Sequence, residues 1–578
     1  MKKKIEKLFG DKLIKKFYHL VIIATLVPIF EIFSIALILP LLRILLDQNF
    51  ILNYPIISDN LEKFSLLLFS NTNFSNILIL VFTIYILVYL LRCIIVFAIQ
   101  TSIINFSLKS ETFLKKKFFS GYLDLRYLDK IKKPYSFYYS MFTTQIEFLS
   151  GNIRSLLNLF VESLTIIFII IFLLIFDIQT TLKILIIFFT IFLIFNFLFN
   201  KKIKKLSILR NEKIDLIYRN FSIILRFFKE FELFKKEEKY SSKLSKDLSY
   251  FEKINFKRQS ISLLPRQIFE LTTLMVIFLY LILNLENRES FNLILINLGI
   301  YIFVMLKLVP SLTKIMNALQ DLKFSSKTFD EIYDFNIFFE SNLKKKSMIF
   351  QDKIDENFTF NSSITIQNLN IEFNNNKIIN NEKIIFLKNK FTAIVGESGT
   401  GKTSLLNLIL GFIDRDKTEL KIDEKIISFR NNNWKDMISY VPQDIPIFQG
   451  TISQNISLED ELYDTGKISK VINFANLEDF VNSKKEGLNF IIEDEGKNIS
   501  GGQEQRIGIA RALYFDPKIL LFDEFTSSLD GETEKNILDT LKKLKDYFTI
   551  IFVTHNKKVS EYCDNIFEIK NKKVVKIK

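Results

Sequence analysis

The stretch Gly396 to Ser404 reads GESGTGKTS, between the apolar run FTAIV and the helix-like LLNLILGF. The pattern G-x-x-x-x-G-K-[ST] between a strand and a helix is a phosphate-binding loop. Backbone N–H groups across Gly396, Glu397, Ser398, Gly399, Thr400, Gly401, Lys402, Thr403 and Ser404 are expected to face phosphate oxygens, with the helix N-terminus favouring their charge. Lys402 is expected to reach the β- and γ-phosphates of a nucleotide, and the Thr403 hydroxyl to ligate Mg²⁺. Further on, the apolar ILLF leads into Asp523 and Glu524. A buried strand there would deliver Asp523 to the metal and leave Glu524 to polarise an attacking water as general base. Two adjacent acids alone would read as a solvated turn. Their place downstream of a phosphate loop favours catalysis.

Between these elements runs NISGGQEQRIGIARAL, Asn498 to Leu513. SGGQ ahead of an R-x-x-x-A-R-A helix resembles the signature of the ABC ATPase family, with Ile499 where Leu is usual. That resemblance implies ATP and Mg²⁺ as ligands and a site shared between two copies. Ser500 and Gly502 would meet the γ-phosphate held by the opposite subunit, with Gly501 and Gln503 beside them in the ATP-binding turn. Gln443 in SYVPQD resembles the residue that senses Mg²⁺ and faces the membrane domain. Ser528, Leu529 and Asp530 resemble the loop at the dimer interface, and His555 the switch histidine at the γ-phosphate. Phe373 resembles the aromatic that stacks on adenine, in place of the commoner Tyr; stacking needs only a π-face.

The elements that position these residues follow from the surrounding pattern. From about residue 362 onward, short apolar strands alternate with amphipathic helices, as in an α/β domain. Before about residue 320 the sequence is different in kind. The chain is 49% hydrophobic with 61 Phe, gathered in runs near 20–46, 77–100, 155–176, 182–199, 268–284 and 293–313. Each run can supply a membrane-spanning helix, giving about six. We expect a transmembrane domain over 1–330, a linker over 331–361 and a nucleotide-binding domain over 362–578. The first run is too long for a signal peptide and no small-residue cleavage site follows it, so it is expected to be retained.

Net charge is +14, but Lys and Arg cluster beside the apolar runs and no nucleic-acid reader motif accompanies them. Segments 101–154 and 200–266 are long and basic, whereas 47–76, 177–181 and 285–292 hold only Lys63 and Arg288. Positive-inside logic places the long segments and both termini in the cytoplasm, with the membrane helices extending into them. Ile57, Leu61, Phe64 and Leu68 recur at helical spacing, as a helix lying on the outer surface or packed on external loops. Cys93 and Cys563 sit in different halves, without metal-ligand neighbours, and read as packing residues.

Charges inside apolar runs carry information because they are costly. They are Glu31, Arg92, Glu162, Arg266, Glu270 and Lys307. Two readings stand: Glu31 or Glu162 neutralises Arg92, or Arg92, Arg266 and Lys307 jointly line a cavity suited to a diphosphate. Six helices ahead of one ABC ATPase resemble the type IV exporter group. EIFSIALILP, YLLRCII, LLPRQIFE and LKLVPSLTKI resemble bacterial lipid-linked oligosaccharide flippases of protein glycosylation, with Lys307 in place of an Arg. The resemblance implies an ATP-driven homodimer in the inner membrane, moving a polyprenyl-diphosphate glycan. Alternatives are export of lipid A, another lipid or hydrophobic drugs, and an ATP-gated channel or regulator.

Overall fold

The computed structural model describes residues 2–38, 41, 43–44, 74–286, 291–351, 358–373, 376–413, 418–429, 431–460, 463–526 and 529–578. The expected helix at 57–68 and Ser528 lie outside them. The chain divides into two compact units, one of Met1–Leu125 with Lys130–Lys344, the other of Arg126–Asp129 with Lys345–Lys578.

The first unit is helical. Its principal helices are α1 (Lys2–Ala24), α2 (Leu26–Ala36), α3 (Phe74–Asp124), α4 (Ile146–Phe176), α5 (Ile178–Arg226), the short α6 (Phe228–Leu233), α7 (Glu237–Glu286), α8 (Phe291–Phe324) and α9 (Ser326–Gln351). Among the described residues, six helical spans are long and apolar enough to cross a membrane. Phe97, Ile175 and Phe197 are 71%, 83% and 82% exposed, a surface suited to lipid rather than water. The basic segments continue the membrane helices: α3 runs unbroken through Asp124, and α5 through Arg226. Asp177 makes the tight reversal between α4 and α5 by accepting from the backbone N–H groups of Gln179 (3.0 Å) and Thr180 (3.3 Å).

Much of the segment expected as a linker, 331–361, is helical, since α9 continues through Gln351. Phe329, Ile332, Phe335 and Phe339 recur at helical spacing and are buried, with Phe335 stacked on Phe118 at 5.7 Å between centroids. The long apolar runs end here, yet one face remains apolar, which is enough to hold a helix.

Among its described residues the second unit carries two principal sheets and a short antiparallel pair, Gly450–Thr451 with Ile491–Ile492. Strands β1 (Ser363–Phe373), β2 (Asn376–Leu387), β4 (Glu419–Ile422) and β5 (Lys425–Ile427) form an antiparallel sheet in the order β2-β1-β4-β5. The other sheet contains β3 (Phe391–Gly396), β6 (Ile438–Val441), β7 (Ile519–Asp523), β8 (Thr549–Thr554), β9 (Asn565–Lys570) and β10 (Lys573–Lys576). Its order is β10-β9-β3-β8-β7-β6, parallel except for β10. Strands β7 and β8 are buried at every position, which explains their unbroken apolar sequences. Helices α10 (Lys402–Ile409), α11 (Gly501–Tyr514) and α12 (Gly531–Leu544) follow the phosphate loop, the signature and Asp530. Trp434, fully buried, donates its indole N–H to the Ile409 carbonyl at 2.9 Å and anchors the end of α10.

Candidate functional site: a phosphate loop and its acidic partners

Because β3, β7 and β8 are adjacent and parallel, their C-terminal ends bring Gly396, Asp523 and His555 to the same edge of the sheet. The loop after β3 closes on Gly401, whose φ of +96° begins α10. A Cβ there would lie 2.6 Å from Ile378 Cγ2, so both backbone and space require glycine. Lys402 is buried, and its ammonium donates to the carbonyls of Gly396 (2.9 Å) and Glu397 (3.0 Å).

Asp523 is buried beside the Thr403 hydroxyl, and the Tyr440 hydroxyl donates to it at 3.4 Å. Burial, then the charge of Glu524, pushes its carboxyl above the ordinary range, although Tyr440, Lys402 and Thr403 oppose the shift. Such an acid gains most from a cation that restores its charged form. An Asp–Thr pair of oxygen donors at the foot of a phosphate loop fits Mg²⁺.

Glu524 follows β7 in the left-handed region, at φ +45°, fixed by its N–H donating to Val553 O at 2.9 Å. A non-glycine residue held there stores backbone strain, which is common at functional positions. Its carboxylate oxygen lies 3.7 Å from Lys402 Nζ and 3.5 Å from His555 Nδ1. Lys402, Thr403, Asp523, Glu524 and His555 therefore form one constellation.

Ser500 caps α11: its hydroxyl accepts from Gln503 N–H (3.3 Å), while the Gln503 side chain accepts from Ser500 N–H (3.0 Å). A Cβ on Gly502 would meet Thr533 Cγ2 at 2.9 Å, so α11 and α12 approach through this glycine. Among the described residues, the Ser500–Gln503 turn makes no hydrogen bond or ion pair to Lys402, Asp523 or Glu524. Asp530 accepts from Glu532 N–H (3.1 Å) and Thr533 N–H (2.9 Å), a helix-capping role that the sequence reading did not anticipate. Gln443 is exposed just beyond β6, and Phe373 ends β1 opposite Asn376. Sequence reasoning also missed Tyr440, which precedes the VPQ segment, and Gln505, which donates to Phe525 O and ties α11 to the turn after Glu524.

The membrane unit brings Arg92 and Lys307 together and leaves Arg266 apart. Glu31 bonds Arg92 and lies 3.3 Å from Lys307, while both cations approach the Tyr89 ring, at 5.0 and 5.6 Å. Arg266 is 68% exposed and pairs at 2.8 Å with Glu270, one helical turn away. Of the two readings, the pairing of Glu31 with Arg92 is present, and of the three expected cations Arg92 and Lys307 share that acid while Arg266 stands apart within this chain. Glu162 binds Lys314 at 2.6 Å rather than Arg92.

Residues 21–285 match the family described as ABC transporter transmembrane region, and residues 379–527 match the ABC transporter family. The chain is an ABC transporter with a transmembrane domain fused to an ATPase domain. A solved bacterial Atm1-family ABC exporter with ATP bound superposes at a TM-score of 0.75, at 17% identity, covering 96% of this transporter and 95% of that chain. That likeness concerns the fold. A protein of Rickettsia typhi, described as a candidate export ATP-binding/permease protein, is 39% identical over 217 residues, 37% of this chain and 38% of its own length. The transporter thus spans less than two fifths of the first relatives it matches. The ATP-dependent lipid A-core flippase of Francisella novicida is 27% identical over 65% of this chain and 63% of its own.

Proposed function

We propose that this transporter is an ATP-driven exporter working as a homodimer in the inner membrane, with each ATP held between the phosphate loop of one copy and the Ser500 turn of the other. The observation that carries this reading is the convergence of Lys402, Thr403, Asp523, Glu524 and His555. Two features support a second copy. Ser500 and Gly501 are exposed and, among the described residues, the Ser500 turn makes no hydrogen bond or ion pair to those five residues, and Phe227, Phe228, Leu233 and Phe234 leave an apolar tip at α6 exposed.

Lys402 turns its charge from the loop carbonyls to the β- and γ-phosphate oxygens. Thr403 and Asp523 would hold Mg²⁺, which when bound would supply positive charge against the phosphates. Glu524 accepts the proton of the attacking water, and His555 donates to the γ-phosphate while its neighbour takes that proton. Hydrolysis then separates the two copies and resets the membrane helices. The test is Glu524→Gln, which keeps shape and removes the base. ATP binding persists, turnover falls by a factor of about 100 or more, and a closed dimer with two nucleotides accumulates. ATP turnover near that of the unaltered protein refutes the role given to Glu524.

The cargo we assign is a polyprenyl-diphosphate oligosaccharide. The membrane motifs support it, as does the one positive charge left over when Arg92 and Lys307 share Glu31. Lipid A is the second reading, favoured by the Francisella relative. Reconstituted vesicles offered each lipid separate them. Replacing Arg92 and Lys307 by Gln should stop translocation of the diphosphate lipid and leave basal ATP turnover, while Arg266→Gln should change neither. Normal translocation by a folded Arg92/Lys307 double variant refutes the assignment.

A further inference from the structure

Beyond its apolar run, α5 keeps one buried face, in which Ile203, Leu206, Arg210 and Ile214 recur three or four residues apart. Arg210 is the charged member of that row and is only 8% exposed. A buried charge is normally paired, because a lone one gives up its hydration without return. Among the described residues Arg210 has no ion pair. Its guanidinium lies 3.9 Å from the Phe148 ring centre and 5.9 Å from that of Phe324. It makes one long hydrogen bond, 3.4 Å to Asn211 Oδ1, an oxygen that already accepts from the Thr328 hydroxyl at 3.1 Å.

Arg210 lines a pocket of about 410 Å³ with Asn152 and Ser155 of α4, Arg258 of α7 and Asp321 of α8. Small-molecule sites are usually about 300–1,000 Å³. Arg258 is paired with Asp321, so the charge left unanswered is that of Arg210. Glu147 also lines the pocket, but it is exposed and makes no ion pair with Arg210. In water its pull on a charge is weak. Exposed Glu147 and Gly151 also mark where the pocket opens to solvent.

Depth and donors narrow the ligand. The apolar run of α5 ends at residue 199 and that of α7 begins near 268, so Arg210 and Arg258 each stand about 15 Å of helix outside them. A headgroup layer is only about 5–8 Å thick, so the ligand comes from water rather than from the bilayer. The polar side chains of the wall are already engaged. Asn152 donates to Phe148 O (2.8 Å), Ser155 to Asp321 Oδ2 (3.0 Å) and Thr144 to Ser140 O (2.8 Å). What remains is the planar fork of Arg210, one charge with parallel N–H groups. That fork matches the two oxygens of a carboxylate, whereas a phosphate would keep further oxygens without donors.

We propose that this pocket binds one small water-soluble carboxylate, its two oxygens on the Arg210 guanidinium. The inference needs neither the cargo nor the homodimer, so a failed translocation assay leaves it standing.

The experiment is isothermal titration calorimetry of the full-length transporter in detergent, at fixed ionic strength, with propionate and its neutral isostere propionamide. One propionate per chain is expected, held at least about tenfold more tightly than propionamide. Arg210→Met keeps bulk against Phe148 but removes the charge, and should abolish binding. Arg210→Lys keeps the charge without the fork and should weaken binding; it carries the test where Arg210→Met does not fold. Inorganic phosphate should displace bound propionate poorly. Glu147→Gln should leave the unfolding temperature unchanged. Four results overturn the proposal: no saturable propionate binding, binding that Arg210→Met or Arg210→Lys leaves intact, phosphate that displaces propionate at equal concentration, or a Glu147→Gln variant that unfolds at lower temperature, which would make Glu147 the partner of Arg210.

Discussion

Replacing Gly401 with alanine adds one methyl group where the structure resists it twice. The backbone stands at φ +96°, and the new Cβ would sit 2.6 Å from Ile378 Cγ2. Holding an L-residue in the left-handed region costs about 1–2 kcal/mol. Carbon atoms pack comfortably at about 3.5–4.0 Å, so the methyl intrudes by about 1 Å, and overpacking of that kind costs about 1–3 kcal/mol. The sum is about 2–5 kcal/mol. If it falls on the conformation that holds phosphate, ATP affinity drops between about 30-fold and a few thousand-fold. A double-mutant cycle separates the two costs, because Ile378→Ala removes the clashing atom and leaves the backbone strain. Gly401→Ala combined with Ile378→Ala should therefore recover to within about 5–30-fold of Ile378→Ala alone. Equilibrium binding of a fluorescent ATP analogue reads all four proteins. Unchanged affinity in Gly401→Ala refutes both parts of the reasoning, and a double variant no better than Gly401→Ala refutes the clash.

Glu31→Gln removes the acid shared by Arg92 and Lys307 and should cost about 3–5 kcal/mol, seen as a lower unfolding temperature in detergent, whereas Arg266→Gln breaks an exposed pair and should cost under about 1 kcal/mol. Asp423 accepts from the backbone N–H groups of Asn361, Ser362 and Ser363 and from the Ser362 hydroxyl, and these bonds outweigh burial to hold its carboxyl down at about 2. A depressed folded value stabilises above the unfolded value of about 3.9, so the stability difference between the wild type and Asp423→Asn should be full at neutral pH and vanish as pH falls from about 4 toward 2. Cys563 is buried and its thiol is pushed up to about 12 by that burial, so it should resist maleimide until the ATPase domain unfolds; labelling of the folded protein contradicts the packing around it.

Much of the nucleotide site was legible because its parts are short and local. The GESGTGKTS loop between strand and helix, the ILLFDE strand and the Ser500 turn stand where the sequence places them, since each is governed by adjacent residues. What crosses between elements was legible only in part: Glu31 was one of two acids offered to Arg92, but nothing chose between them. Nothing near Gly401 announces that Ile378 will pack against it, and nothing in SYVPQD announces that Tyr440 will donate to Asp523. The membrane charges show the same division. Arg266 and Glu270 are four residues apart on one helix and pair locally, a spacing visible in LLPRQIFE. Glu31 chooses Arg92 and Lys307 through the packing of three helices. Helix α9 was hidden for another reason: its apolar positions occupy only one face, interleaved with Asp, Asn and Lys, so the end of the long runs reads as the end of structure.

Helix α3 contains 51 residues and α5 contains 49, about 75 Å each, while a bilayer's hydrocarbon layer is about 30 Å thick. More than half of each rod therefore stands clear of the lipid. Such a rod works as a lever whose fulcrum lies in the membrane. With an outer arm of about 45 Å, a tilt of about 10° carries its free end through about 8 Å and moves its embedded half by much less. Large, inexpensive displacements at one end are geared down to short, forceful ones between the membrane-embedded side chains, among them Glu31, Arg92 and Lys307.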